Sequence, residues 1–452
     1  MVGNTLQLDL ERYHLDLEGW AREYGPQYQL RIGRNPAVVI SDAAQVRELL
    51  KRRPKQIRRQ SRMQAVTAEL GLDGLFTAEG PRWRKQRKLM NVAFAPRQVR
   101  ALEPKLIEVT ERLRQHWLDA AARGEAIDVH SDLRRYTVDV TMIVAFGEDV
   151  DTLRRDEAGE FRAKFEAMFP TFHRRLRALW PYWRVFKLPR DRQIEAQALA
   201  LRAELARRIE ATRVRLAAEP EAEATNLLEA MVLARDEDDP KLRLDDEEIM
   251  SNASTIILAG EDTTSNTAAW ILDALARFPE VAGRLRAEAD ATFGQAELTP
   301  DLASLARMPY LQGTIHEALR MRSTAPLLFL EALEDQHLGE LELPTGSMIM
   351  ALTRVPAMAS QHFDAPDQFD PSRWIEDTRD PESAHDPKAL LTFGYGPRIC
   401  PGRALAMLEL GLIGSMVARN FELEAVDEVA PDEVFGFTVS PRQMRLRLRA
   451  RT

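Results

Sequence analysis

Cysteine is all but missing from this 452-residue chain, which contains one, Cys400. A single thiol excludes an internal disulfide framework and any zinc or iron–sulfur centre built from several cysteines. Long apolar runs are missing too: no stretch reaches about 18 apolar residues, so no membrane span is read. The opening MVGNTLQLDL has neither a basic nor an apolar leader region, so a cytoplasmic protein is expected. Positive charge is not in excess. Lys and Arg number 62 against 70 Asp and Glu, a net charge of −8, which speaks against nucleic-acid binding. Repeats and long Gly/Ser linkers are also lacking. Length alone suggests about three domains, yet without linkers one large domain over residues 1–452 is the expectation.

What is present is a globular composition, 45% hydrophobic and 29% charged. Ala, Leu, Arg and Glu recur with helical period over Arg100–Ala122, Asp191–Leu216 and Asp245–Arg277. Strand-like runs are short: Tyr28–Ile32, Ala37–Ile40, Ser347–Leu352 and Met444–Leu448. A mainly α fold with small peripheral β-sheets follows. Two charge blocks stand out, seven basic residues in Lys51–Arg62 and eight acids against three basic residues in Arg235–Glu248. Both read as solvated faces.

The helix Asp245–Arg277 can be capped by Asp245 or Asp246, and Pro279 ends it. Its middle, Leu258-Ala259-Gly260-Glu261-Asp262-Thr263-Thr264, is poor in helix formers. Gly260 costs about 1 kcal/mol relative to Ala there, and adjacent threonines compete for backbone hydrogen bonds. A local distortion is expected, from a functional site or from a notch where another helix crosses. The residues leave both open.

Cys400 lies in Phe393-Gly394-Tyr395-Gly396-Pro397-Arg398-Ile399-Cys400-Pro401-Gly402-Arg403. Three glycines and two prolines make a rigid loop whose backbone can approach something large and flat. Helical periodicity resumes at Arg403, so the thiol sits just before a helix N-terminus, where a thiolate is favoured. No histidine in the loop could serve as base for a thiol nucleophile. A lone thiolate ligating a haem iron accounts for the loop, the Arg398 cation two residues before Cys400 and the helix together.

These residues resemble the haem-binding signature of the cytochrome P450 monooxygenases, Phe-Gly-x-Gly-x-Arg-x-Cys-x-Gly, at Phe393, Gly394, Gly396, Arg398, Cys400 and Gly402. Three more motifs of the family match in order. Trp83 and Arg87 fit Trp-x-x-x-Arg, Ala259 to Thr264 fit the oxygen-activation segment, and Glu317 and Arg320 fit Glu-x-x-Arg, followed by Pro371-Ser372-Arg373-Trp374.

The resemblance implies haem b (iron protoporphyrin IX) with Cys400 as iron ligand, molecular oxygen as co-substrate, and NAD(P)H electrons arriving indirectly. In this family the thiolate pushes electron density toward O–O cleavage. Asp262 and Thr263 are the implied proton-delivering pair, with Ala259 beside the cofactor. Trp83, Arg87 and Arg398 are the implied donors to the haem propionates, with Phe393, Gly394 and Gly402 shaping the loop. Glu317, Arg320 and Arg373 are the implied ionic buttress of that loop. One departure is visible: where many relatives carry Arg or His five residues after the proline that follows Glu-x-x-Arg, this chain has Glu331. Weaker propionate binding is the expectation.

The resemblance further implies a hydrophobic small-molecule substrate, hydroxylated or epoxidised in a pocket including Val66, Leu75, Phe76, Leu258, Leu328, Phe329 and Phe437. Phe161–Leu188 reads as a lid, or its aromatic side chains as plain core. A monomer without a fused reductase is expected, supplied by a ferredoxin or flavodoxin with its reductase. Arg82, Arg84, Lys85, Arg87 and Lys88, with Arg403, would form a basic docking patch for such a carrier. A peroxide-driven peroxygenase and a non-catalytic haem sensor are the alternatives; neither needs the acid–alcohol pair.

Overall fold

The structure is a computed structural model that describes residues 3–155, 169–178, 180–219, 221, 223–236, 239, 241–377 and 382–451. Of the expected lid Phe161–Leu188, residues 161–168 and 179 lie outside the described residues. The chain divides into two compact units, Met1–Arg58 with Glu103–Thr137 and Asp262–Thr452, and Arg59–Leu102 with Val138–Glu261. The boundary falls inside two helices, Val129–Phe146 and Asp246–Arg277. The architecture is mainly α, as expected, with small separate sheets.

The first unit holds the sheets. Strands β1 (Gln27–Ile32), β2 (Asn35–Ile40), β3 (Ile57–Arg59), β5 (Leu327–Ala332) and β8 (Met348–Leu352) are ordered β1-β2-β8-β5-β3. The turn at Gly33 sets the β1–β2 register, pairing Tyr28 with Val39. β4 (Ala126–Asp128), β9 (Phe421–Ala425) and β12 (Arg445–Ala450) form a second sheet, and β6 (Gln336–Leu338) with β7 (Leu341–Leu343) a small hairpin. Among the described residues, β10 (Glu433–Phe435) and β11 (Val439–Pro441) pair only with each other. Alternation along β5 puts Leu330 and Ala332 into one apolar cluster with Ile57, Leu50 and Leu391, and turns Leu327 and Phe329 into another with Met350.

Helices follow their sequence signals closely. Asp191–Leu216 appears as Pro189–Ala218, and Arg100–Ala122 as Pro96–Ala101 plus Glu103–Arg123. Asp245 caps the long helix reciprocally: its Oδ1 accepts from the Glu248 N–H at 2.8 Å, and its own N–H donates to Glu248 Oε2 at 3.0 Å.

The expected distortion of that helix does not occur. Asp246–Arg277 runs as 32 uninterrupted α-helical residues, about 48 Å long. Gly260 is accounted for by crowding within the second unit, since a Cβ there would lie 2.8 Å from Thr141 Oγ1. Packing against Thr141 accounts for the glycine without a break in the helix.

The basic block also departs from a solvated face. Arg53 and Arg59 are buried, Arg52 pairs with Glu48, and Arg62 donates to the backbone carbonyls of Arg175 and Ala178.

Candidate functional site

In the first unit, the Cys400 loop is built on glycine conformations. Gly394 and Gly396 adopt φ of +74° and +71°, and a Cβ on Gly396 would lie 2.8 Å from the Leu50 carbonyl oxygen. Backbone thus meets backbone, and the loop lies directly on the end of the helix Ala43–Lys51. The Cys400 N–H donates to the Phe393 carbonyl at 2.9 Å, and the thiol is exposed three residues before the helix Arg403–Asn420. Phe393, Arg398 and Gly402 are half-buried around it, with the Arg403 guanidinium 5.6 Å from the Phe393 ring centre.

Behind this loop sits a buried charge network. Glu317 and Arg320 lie one turn apart on the helix Pro309–Met321, both with no solvent exposure. Arg320 donates twice to Glu317, at 2.8 Å each, and also to the carbonyl of Ala357 at 2.9 Å. Arg373 Nε reaches Glu317 Oε1 at 3.0 Å, and the indole of the same segment's Trp374 at 2.9 Å and the Asp370 N–H at 3.0 Å complete the carboxylate. Five hydrogen bonds to one carboxylate offset the cost of burying its charge. Thr392, next to Phe393, donates to the Leu319 carbonyl at 3.0 Å and joins the network's helix to the cysteine loop.

On the long helix, Asp262 and Thr263 are half-buried. Asp262 Oδ1 lies 3.5 Å from Arg134 Nε, a partner absent from the sequence reading. One turn on, Asn266 meets His130 at 2.7 Å and donates to Thr438 Oγ1 at 3.0 Å. Burial lowers the pKa of His130, so its neutral form is favoured.

Glu331 is not a bare acid. It pairs with Arg58 at 2.6 Å, so a guanidinium accompanies the departure from the family pattern. Leu328 and Phe329 flank it on β5, half-buried, as is Phe437 beyond β10.

In the second unit, Trp83 is buried and Arg87 half-buried on one face of the helix Gly80–Ala93. The expected basic patch needs correction. Arg82 pairs with Asp73 at 3.0 Å, Lys85 with Glu248 at 2.5 Å and Lys88 with Asp236 at 2.5 Å. Acids from outside the helix thus pair with three of the helix's five cations, and Arg84 is exposed. Val66, Leu75 and Leu258 are buried here, with Phe76 half-buried beneath the Arg59 guanidinium at 3.8 Å. The Leu75 N–H donates to Asn252 Oδ1 at 2.8 Å, which ties this stretch to the long helix two turns before Ala259.

Among the described residues, no group of three or more His, Cys, Asp or Glu side chains is placed to hold a metal ion, and no helix is long and apolar enough to cross a membrane. An exposed lone thiol in a glycine cradle fits an iron whose other ligands come from a macrocycle. It does not fit a metal held by protein groups alone.

The Cytochrome P450 family matches residues 1–447. The chain is 28% identical to the steroid 17-alpha-hydroxylase/17,20 lyase of Gallus gallus, over 100% of this chain and 90% of that protein. It is 28% identical to the bifunctional cytochrome P450/NADPH–P450 reductase 2 of Bacillus subtilis (strain 168), over 96% of this chain and 41% of that protein. The crystal structure of the cytochrome P450DA heme domain superposes with a TM-score of 0.86 at 26% identity, covering 98% of this chain and 94% of that one. Loop, buried network and match along nearly the whole length agree: the chain belongs to the cytochrome P450 family of monooxygenases, which use haem b, molecular oxygen and NAD(P)H-derived electrons passed on by redox partners.

Proposed function

We propose that this chain hydroxylates or epoxidises a hydrophobic small molecule, with Cys400 as the iron ligand and residues 1–452 as a single haem-thiolate domain. The observation that carries this reading is the exposed Cys400 thiol, cradled by Gly394 and Gly396 and backed by the Glu317–Arg320–Arg373 network. Haem b, when bound, supplies oxygen activation, and the thiolate favours O–O cleavage.

The chain's own residues do the rest. Trp83, Arg87 and Arg398 are donors suited to anionic propionates. Arg58, held at Glu331, adds a cation where weaker binding was expected. Thr263 holds a proton at its hydroxyl for dioxygen, and Asp262, steadied by Arg134, passes protons in from solvent. Ala259 leaves room beside them. The apolar side chains Val66, Leu75, Phe76, Leu258, Leu328, Phe329 and Phe437 support a hydrophobic substrate.

Electrons come from a separate ferredoxin or flavodoxin with its reductase, and the protein works as a cytoplasmic monomer. The exposed Arg84 and Arg403 are the cations suited to such a carrier, since the rest of the helix Gly80–Ala93 is largely neutralised. The test is the ferrous–carbonyl spectrum of haem-loaded protein. A red-shifted band supports thiolate ligation, and its absence in folded, haem-loaded protein overturns it.

A further inference from the structure

The hairpin β10–β11 carries Phe435 and Val439 on strands of three residues and Phe437 in the turn between them, and among the described residues it pairs with no other strand. An isolated two-stranded hairpin is marginal in water, so its position depends on what grips it. At one end the Glu433 carboxylate is buried among cations and donors: His14 Nε2 at 2.6 Å, Arg322 at 2.7 Å and Arg354, which bonds both oxygens at 2.8 Å. Arg354 in turn holds Glu18 at 2.7 Å. These partners depress the carboxyl pKa of Glu433 far below the usual range, so it accepts and His14 Nε2 donates.

His14 and Glu18 lie on the helix Tyr13–Tyr24, and His14 has no solvent exposure. Its other ring nitrogen has no hydrogen-bond partner among the described residues, so Glu433 is its one polar anchor. The rings of Tyr13 and His14 stack on Phe435 at 5.8 and 5.6 Å, and Tyr13 reaches Phe329 of β5 at 6.2 Å. The N-terminal helix therefore bridges two stretches, far apart in sequence, that were both read as substrate-facing.

We propose that His14 is a positioning residue for substrate binding, setting through Glu433 the hairpin that presents Phe437 to the distal part of a long apolar substrate. This rests on the reading of Phe329 and Phe437 as pocket residues of a haem enzyme. The His14–Glu433 hydrogen bond is charge-assisted, and its loss removes one of the three side chains that grip the hairpin at Glu433, leaving Arg322 and Arg354.

Ferric holoprotein is titrated with imidazole, which needs only the iron, and with 1-dodecylimidazole, whose chain must also fill the pocket. For His14→Leu, which keeps bulk but not the donor, the expected Kd for 1-dodecylimidazole rises about five- to tenfold. Imidazole stays within about twofold of the parent. His14→Gln, which restores an N–H near the Nε2 position, returns the long ligand to parental affinity. Arg322→Gln, at the half-exposed edge of the cluster, moves the long ligand the same way by about twofold, and decides the matter if His14→Leu does not fold. Undiminished 1-dodecylimidazole binding in the folded variants, or a Gln variant as weak as Leu, overturns the proposal. Failure of imidazole to bind the parent instead overturns the haem reading beneath it.

Discussion

Glu317 and Arg320 form a two-point ion pair, Nε to Oε2 and a terminal nitrogen to Oε1, both at 2.8 Å and both shut off from solvent. Arg373 makes Glu317 the shared acceptor of two guanidinium groups. Removing that carboxylate leaves two buried cations uncompensated, which costs about 3–5 kcal/mol. Glu317→Ala is therefore expected to give little haem-loaded protein, read as the haem-to-protein ratio after purification. Normal haem incorporation would refute the buttress role.

Cys400→Ser tests the ligand directly. With no second cysteine to substitute, the red-shifted ferrous–carbonyl band should vanish entirely. Retention of that band would mean another ligand serves.

Thr263→Ala removes the hydroxyl assigned to proton delivery. NAD(P)H consumption is expected to continue while product falls about 10²-fold, with the missing equivalents recovered as hydrogen peroxide. Peroxide-supported turnover should largely survive. Equal loss of both activities would point to a structural role.

Gly260→Ala separates propensity from packing. Helix propensity alone favours Ala by about 1 kcal/mol, but the new methyl would sit 2.8 Å from Thr141 Oγ1. Overpacking of this kind costs about 1–3 kcal/mol, so net destabilisation is expected in thermal unfolding. In a Thr141→Ala background the sign should reverse.

Glu409, buried on the helix Arg403–Asn420, has one carboxyl oxygen without a hydrogen-bond partner among the described residues. Burial raises its pKa well above the usual carboxylate range. Above about pH 4.3, the unfolded value, the folded chain holds a proton that the unfolded chain releases, so this group subtracts stability as pH rises toward the folded pKa. Glu409→Gln should gain on the parent in urea midpoint between pH 5 and pH 8. A pH-independent difference would show that Glu409 is already ionised when folded.

The local motifs were legible in sequence because each is a short pattern with its own chemistry: the cysteine loop, Glu-x-x-Arg, and the paired Trp83 and Arg87. Partners drawn from far along the chain were not. Arg134 beside Asp262 and Arg58 on Glu331 have no signature, because proximity in the fold alone selects them. The same blindness produced the errors. Five cations on one helix looked free because Asp73, Glu248 and Asp236 lie elsewhere in sequence. Gly260 looked like a break because propensity scales know nothing of Thr141.

The backbone contact between Gly396 and Leu50 joins positions separated by most of the chain's length. Closing so large a loop is slow, and its entropy must be met before the contact rewards it. During synthesis the helix Ala43–Lys51 waits for nearly the whole remainder of the polypeptide before the cysteine loop has its floor. Cofactor capture through Cys400 therefore cannot precede synthesis of this loop, and chains truncated before residue 396 are expected not to retain haem however well their helices form.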